Sequence, residues 1–272
     1  MARTMEFTKM EGLGNDYVYV DARRFPVEDP AALSIRVSDR HTGIGSDGLI
    51  LIDGSAVADF RMRIFNADGS EARMCGNGAR CVGKYVYDKG LTARTELTLE
   101  TGAGIRTLRL EPGADGKISS VTVDMGPYAV DGSLQSVEAE GRVFAGTAVS
   151  VGNPHFVVFG DGDFPDEIAR YGRALECHPL FPDRTNVELA RLLAPGLIRM
   201  RVWERGSGMT MACGTGACAT AVAATLKGLV SGECIVRMDG GDLRVLCDTE
   251  AGRVRMTGPA HTVFEGKMEV AR

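Results

Sequence analysis

Two cysteine turns in this chain share one internal spacing. Met74-Cys75-Gly76-Asn77-Gly78-Ala79-Arg80-Cys81 is echoed by Ala212-Cys213-Gly214-Thr215-Gly216-Ala217-Cys218-Ala219, and the two lead cysteines stand 138 residues apart (213 − 75). A single Cys-Gly-x-Gly is weak, but the same offset aligns Arg61-Met62-Arg63 with Arg199-Met200-Arg201. It also aligns Phe65 with Trp203, Gly14-Asn15 with Gly152-Asn153, and Lys89-Gly90 with Lys227-Gly228. Self-similarity at one register is the mark of a duplicated unit. The expected chain is therefore two similar domains about a pseudo-two-fold axis. Residues 1–128 form the N-terminal repeat carrying Cys75, and 129–263 the C-terminal repeat carrying Cys213. The tail 264–272 exceeds the repeat and is expected to join the first half. Such an axis would set the two thiols on opposite sides of one cleft.

Each half alternates β-rich runs with a helix opened by its cysteine. Phe60–Phe65 alternates apolar and charged residues, as a half-wet strand does. Arg61, Arg63, Arg199 and Arg201 then read as wet strand faces. Strands are expected from Met5 to Met10, Tyr17 to Val20 and Leu49 to Ile52, and helices from Pro30 to Asp39 and Phe164 to Leu175. The first cysteine helix closes on Gly90, a residue suited to the left-handed backbone that ends helices. The second runs through Ala217, Cys218, Ala219, Ala221, Ala223 and Ala224, with no polar face, so it belongs inside a domain. Residues 126–141 read as the linker and 233–270 as hairpins. The fold class is α/β of the α+β type, two pseudo-symmetric domains, each a mixed, mostly antiparallel sheet rolled around a central helix.

A net charge of −5 argues against a polyanionic partner, so no nucleic acid is expected. No apolar run reaches the roughly 20 residues of a membrane span, and Met1 to Phe7 lacks the apolar core of a signal peptide. The seven cysteines, an odd count, fit reduced thiols in a cytoplasm.

A cysteine at a helix start lies near free N–H groups and the positive end of the helix dipole. Such placement lowers a thiol pKa from about 8.5, in some proteins to roughly 3.5–7.5, and the same N–H groups suit a carboxylate. Two such sites about one carbon would let a thiolate remove an α-proton while a thiol returns one from the other face, with no cofactor. The plainer readings stand beside this one. Cys75 and Cys213 could be inert buried thiols. Cys75/Cys81 and Cys213/Cys218 fit zinc spacing poorly. Cys81, Cys177, Cys218, Cys234 and Cys247 read as structural. His155 alone could be a core histidine, Asn66 and Asn186 turn residues, and Arg205 a surface charge.

Several long segments resemble the diaminopimelate epimerase family: Leu13-Gly14-Asn15-Asp16, Arg40 to Gly45, Phe65 to Glu71, Met74 to Cys81, Gly152-Asn153-Pro154-His155-Phe156, Arg184 to Glu188, and Glu204-Arg205-Gly206 through Gly216. The resemblance spans nearly the whole chain. It implies conversion of LL-2,6-diaminopimelate, a diamino dicarboxylic acid, to the meso form for lysine and peptidoglycan synthesis, with no pyridoxal phosphate and no metal. It implies Cys75 and Cys213 as the base–acid pair. It implies Gly76-Asn77 and Gly214-Thr215 as the grip on the reacting carboxylate, and Asn15, Asn66, Asn153, Asn186 and Arg205 as the grip on the rest. His155 and Glu204 would tune the site or meet an ammonium. Family members commonly carry Gln where Gly48 stands here, which puts one side-chain contact in doubt. The rivals are a proline or hydroxyproline racemase-like isomerase and a thiol redox or ligand-binding protein. The sequence leaves the oligomeric state open and admits a homodimer.

Overall fold

The computed structural model describes residues 3–162 and 165–270. Along the first half run β1 (Arg3–Gly12), β2 (Asn15–Asp21), α1 (Pro30–Ser38), β3 (Gly48–Asp53), β4 (Phe60–Asn66), β5 (Glu71–Ala72), α2 (Gly76–Asp88), β6 (Glu96–Thr101), β7 (Gly104–Pro112) and β8 (Ile118–Pro127). The second half follows with β9 (Ala129–Ala139), β10 (Arg142–Ser150), β11 (Pro154–Phe159), α3 (Pro165–Glu176), β12 (Asn186–Ala194), β13 (Leu197–Glu204) and β14 (Gly208–Thr210). It continues through α4 (Gly214–Leu226), β15 (Glu233–Met238), β16 (Gly241–Asp248) and β17 (Arg253–Pro259) to β18 (His261–Val270). Phe164, where the α3 helix was expected to start, and residues 271–272 of the tail lie outside the described residues. No described helix is long and apolar enough to cross a membrane.

The described chain falls into two compact units, residues 3–123 with 258–270, and residues 124–162 with 165–257. In unit 1 the strands pair in the order β18-β1-β2-β3-β4-β6-β7-β8. Every neighbouring pair is antiparallel except β2–β3 and β4–β6. Parallel neighbours need a long crossover, and α1 and α2 are those crossovers. In unit 2 the order is β9-β10-β11-β12-β13-β15-β16-β17, with β11–β12 and β13–β15 parallel and α3 and α4 as the crossovers. The fold class read from the sequence is thus observed, mostly antiparallel sheet with a helix at the centre of each unit. Two details differ. Residues 126–141 are no linker: β8 ends at Pro127, and β9 fills 129–139 and pairs along β10 from Arg142 to Ser150. The offset of 138 holds through the helix caps Lys89 and Lys227 but becomes 137 at the turn glycines Gly104 and Gly241, because the second helix–strand connection is one residue shorter.

Each central helix is held by burial more than by propensity. In α4 every residue from Gly216 through Ala224 is buried, and strands β10–β13, β15 and β16 surround it. Small side chains let the sheet close to this distance, so the Ala and Gly content of α4 is a packing requirement. In α2 everything from Gly76 through Lys84 is buried. Arg80 is fully enclosed, its Nε donating to the Pro259 carbonyl at 3.0 Å. Lys84 donates to the Ile118 carbonyl at 2.6 Å and pairs with Asp88 at 2.7 Å. Both helices end on a lysine followed by glycine in the left-handed region, Gly90 at φ 71° and Gly228 at φ 70°, which no β-branched residue would adopt without strain. The outer helices seal separate cores: Val37 of α1 packs with Met5, Phe7, Val18 and Leu49, and Ile168, Tyr171 and Leu175 of α3 pack with Phe144, Phe156 and Leu189.

The arginines read as wet strand faces are exposed or half-buried, and they are ion-paired as well. Arg61 meets Glu100, Arg63 meets Glu71, and Arg199 and Arg201 converge on Asp239. In unit 2 this draws both guanidinium groups mostly out of water, since one carboxylate serves two cations. Of the five cysteines read as structural, Cys81, Cys218, Cys234 and Cys247 are buried and Cys177 is exposed.

Candidate active site

Both cysteines that open the repeat are helix N-caps with extended backbone, Cys75 at φ −139°, ψ 117° and Cys213 at φ −128°, ψ 113°. A serine or aspartate normally fills this place, its oxygen accepting an N–H of the first turn. Here sulfur does so: Cys75 Sγ accepts from Gly78 N at 3.3 Å and Cys213 Sγ from Gly216 N at 3.4 Å. The glycines sit in crowded places. A Cβ on Gly78 would come within 2.7 Å of Ile50 Cδ1, and one on Gly216 within 2.7 Å of Glu188 Oε1.

Around Cys75 the side chains are held from below. Asn15 Nδ2 donates to Asp47 Oδ2 at 2.8 Å, which turns Asn15 Oδ1 towards the sulfur at 3.4 Å. Asp47 is fixed in turn by Arg40, whose Nη2 reaches Asp47 at 3.0 Å and Asp16 at 2.9 Å, and Lys9 pairs with Asp16 at 2.6 Å. Asn77, second residue of α2, is buried, and its Oδ1 has no hydrogen-bond partner among the described residues. Asn66 closes β4 with its amide on Ser70 Oγ at 2.9 Å. At Gly48 the backbone leaves no room for a side chain: a Cβ would lie 2.1 Å from the Phe65 carbonyl oxygen and 2.8 Å from the Tyr17 ring.

Unit 2 presents a different set. Asn153 Nδ2 donates to Thr215 Oγ1 at 3.3 Å, and Thr215 Oγ1 lies 3.4 Å from Cys213 Sγ. Asn153 Oδ1 meets His155 Nε2 at 3.1 Å, and His155 Nδ1 meets Glu188 Oε1 at 2.6 Å. Glu204, whose Oε1 accepts from the Thr210 hydroxyl at 2.5 Å, also bonds Cys213. Asn186 is engaged at both ends, Nδ2 on the Pro154 carbonyl at 2.8 Å and Oδ1 on Arg205 N at 2.9 Å. The exposed Arg205 guanidinium donates to the Asp183 carbonyl at 2.9 Å.

The helix start alone predicts an acidified thiol. For Cys213 the reverse holds: burial pushes its thiol well above the ordinary value, and the Glu204 and Glu188 carboxylates push the same way, against the Thr215 and Gly216 hydrogen bonds. Desolvation of a charge outweighs a helix dipole here. Burial likewise raises Glu204, opposed by its bonds to Thr210 and Cys213.

Within unit 1 the structure gathers Cys75, Gly76, Asn77 and Asn15 at one helix start. Within unit 2 it links Cys213, Thr215, Asn153 and His155 in one chain of contacts, with Glu204 beside it and Asn186 joined to Arg205. Glu188, Lys9, Asp16, Arg40 and Asp47 were not singled out as site residues from sequence. The repeat held a signal for Glu188: 50 + 138 places it opposite Ile50, a charge where its counterpart is apolar. None of the seven cysteines, all among the described residues, forms a disulfide. Among the described residues no group of three or more His, Cys, Asp or Glu side chains is arranged to hold a metal ion.

The architecture of this chain, two like units each built on a central helix, is shared as a fold with several solved structures. A Bacillus anthracis phenazine biosynthesis protein of the PhzF family superposes with TM-score 0.75 at 18% identity, over 98% of this chain and 99% of that one. A hydroxyproline epimerase from Agrobacterium vitis gives 0.72 at 18%, over 98% and 93%. At such identity the likeness is one of fold. Sequence is more specific. The diaminopimelate epimerase family model matches residues 7–130 and 147–263, and the diaminopimelate epimerase of Parabacteroides distasonis is 54% identical over 270 residues, 99% of this chain and all of that protein. The chain belongs to the diaminopimelate epimerase family, whose members are isomerases.

Proposed function

We propose that this chain interconverts LL- and meso-2,6-diaminopimelate without a cofactor, Cys75 and Cys213 acting on opposite faces of one α-carbon. The observation that carries this is the pair of cysteine N-caps, each with its sulfur on an N–H of its own helix. A thiolate takes the α-hydrogen as a proton and leaves its electron pair on the α-carbon, delocalised into the carboxylate. The other thiol then delivers a proton to the far face. Configuration is inverted and the two sulfurs have exchanged protonation states. The carbanion needs fixed positive dipoles, and the backbone N–H groups of Gly76, Asn77, Gly214 and Thr215 are proposed to supply them at the reacting carboxylate. Asn15, Asn66, Asn153 and Asn186 are proposed to hold the amino and carboxyl groups. Arg205, whose guanidinium can take a carboxylate bidentately, is assigned the distal one. His155 and Glu204 set the charge around Cys213. A reducing cytoplasm suits two catalytic thiols, and the reading admits a homodimer, which sedimentation would measure.

The test is turnover of LL-diaminopimelate in reducing buffer with no added cofactor, with proline as competitor. Meso product, deuterium from heavy water entering the product α-carbon, and indifference to proline are expected. No turnover, or inhibition by proline at equal concentration, would sink the assignment.

A further inference from the structure

The repeat relates Tyr17 to His155 and Ile50 to Glu188 (17 + 138; 50 + 138). Unit 1 therefore has an aromatic and an aliphatic side chain where unit 2 has a fully buried histidine–carboxylate pair. His155 and Glu188 both have no solvent-exposed side-chain surface and meet at 2.6 Å. The second Glu188 oxygen has no hydrogen-bond partner among the described residues. Asn153 Oδ1 can only accept, so its 3.1 Å contact places a hydrogen on His155 Nε2. The 2.6 Å contact between His155 Nδ1 and Glu188 Oε1 then needs a second hydrogen between them.

With that proton in place, every later bond has one direction. His155 Nε2–H donates to Asn153 Oδ1. Asn153 Nδ2 then faces Thr215 Oγ1 and donates to it. The Thr215 hydroxyl, already accepting, turns its own O–H to Cys213 Sγ. Take the proton away and His155 Nε2 becomes an acceptor. The Asn153 amide turns over, Thr215 donates to it, and Cys213 S–H donates to Thr215. The first arrangement solvates a thiolate and the second holds a thiol.

We infer that Glu188 is a positioning residue: through His155, Asn153 and Thr215 it sets whether Cys213 is offered a hydrogen-bond donor or an acceptor. The inference rests on the two-thiol reading for its catalytic meaning, since a sulfur that must act as base in one direction and acid in the other needs both arrangements. Glu188 does not touch Cys213; Thr215 does. Gly216 makes the arrangement possible, because only a missing side chain at the third residue of α4 admits the Glu188 carboxylate beneath the helix start.

The test reads the sulfur directly. Glu188→Gln keeps the shape but accepts from His155 Nδ1–H, leaving Nε2 bare and the chain locked in its thiol form. Iodoacetamide labelling of Cys213, followed peptide by peptide by mass spectrometry across pH, reports thiolate, the reactive form. At pH 7 Glu188→Gln is expected to label about tenfold more slowly than the parent, with the half-maximal pH raised and Cys75 labelling changed less than about twofold. A bare charge effect runs the other way: removing a nearby carboxylate would ease ionisation and speed labelling. Unchanged or faster labelling overturns the inference. Thr215→Val, which cuts the last link, is expected to slow labelling alike, with Thr215→Ser restoring it. Should Glu188→Gln fail to fold, unchanged labelling in Thr215→Val overturns the inference on its own. Labelling needs no turnover, so absence of epimerase activity tells against the proposed function and leaves this measurement standing.

Discussion

The two units share strand order, crossover helices and cysteine caps, yet the material beneath each sulfur differs. Under Cys75 the support is ionic and fixed: Asp47 turns the Asn15 amide, Arg40 and Lys9 hold the acids, and a carbonyl oxygen meets the thiol. Under Cys213 the support is a histidine–carboxylate pair acting through an amide and a hydroxyl, both of which can turn. The helices differ too. Helix α2 buries Arg80 and Lys84, whereas α4 buries Cys218 and Val222 at the same repeat positions (80 + 138; 84 + 138). A duplicated backbone thus keeps its geometry while the charged residues around it change. Backbone hydrogen bonds and core volume dictate the fold, and the few side chains facing the helix start are free to diverge.

The sharpest way to break the comparison is to remove each sulfur in turn. Cys75→Ala and Cys213→Ala should each lower kcat by about 10³-fold, the size typical of losing a positioned acid or base, with circular dichroism unchanged. One variant keeping a tenth of the parent rate would show that the halves are not equal partners. Next comes transplantation. Ile50→Glu puts the unit 2 carboxylate into unit 1 without a histidine to meet it, Tyr17 standing there instead. Burying that unpaired group should cost about 3 kcal/mol, or hold it protonated, read by urea denaturation. A loss below about 1 kcal/mol would mean that the unit 1 helix start is as tolerant of charge as unit 2.

A smaller effect is expected at Gly48 and Asn186, equivalent positions with opposite needs. Gly48→Ala should cost about 2 kcal/mol, because its Cβ would meet the Phe65 carbonyl and the backbone must shift. Asn186→Gly should cost about 1–2 kcal/mol for the two hydrogen bonds it loses. Thermal melts of the pair would check both. The smallest is acid sensitivity. In unit 1 the Thr98 N–H holds Asp59 low, the Thr42 and His41 N–H groups hold Asp39 low, the Ser70 hydroxyl holds Asp68 low and Arg63 holds Glu71 low. Carboxyls lowered by folding contribute stability above their unfolded values, and that stability is lost as pH falls through the folded ones, below about 4. In unit 2 Arg237 holds Asp242 low and Glu176 is lowered by its hydrogen bonds against burial, but burial raises Glu204, so acidification favours its folded, protonated form. Hydrogen-exchange protection, taken relative to the intrinsic rate at each pH, should therefore fall more in unit 1 between pH 6 and pH 3.5. An equal fall would remove the electrostatic contrast.

Much of this was legible in the order of residues. The offset of 138 exposed the duplication, since a repeated small-residue turn before an apolar helix is rare by chance. The all-small face of α4 announced burial, because nothing on it could face water. The cysteine caps followed from Gly-x-Gly after each cysteine. What could not be read was which side chains converge. His155 and Glu188 are 33 residues apart and meet only because β11 and β12 pair in parallel with His155 opposite Asn186. Asp47 reaches Asn15 across a similar gap. The sign of the Cys213 shift was equally hidden, because it depends on how completely the sheet closes over the helix start. The strand in place of a linker at 129–139 was missed for a related reason: its pairing partner, not its own composition, makes it a strand.

Strand β18 lies after the whole of unit 2 in the sequence, yet it pairs with β1 from Arg3–Val270 to Glu11–His261. On a ribosome, the first unit therefore waits with one edge bare while the second is being made, and its last strand arrives only after that. An open edge is a template for pairing with another nascent chain. Intermediate lengths of this polypeptide should be the ones that most need chaperones.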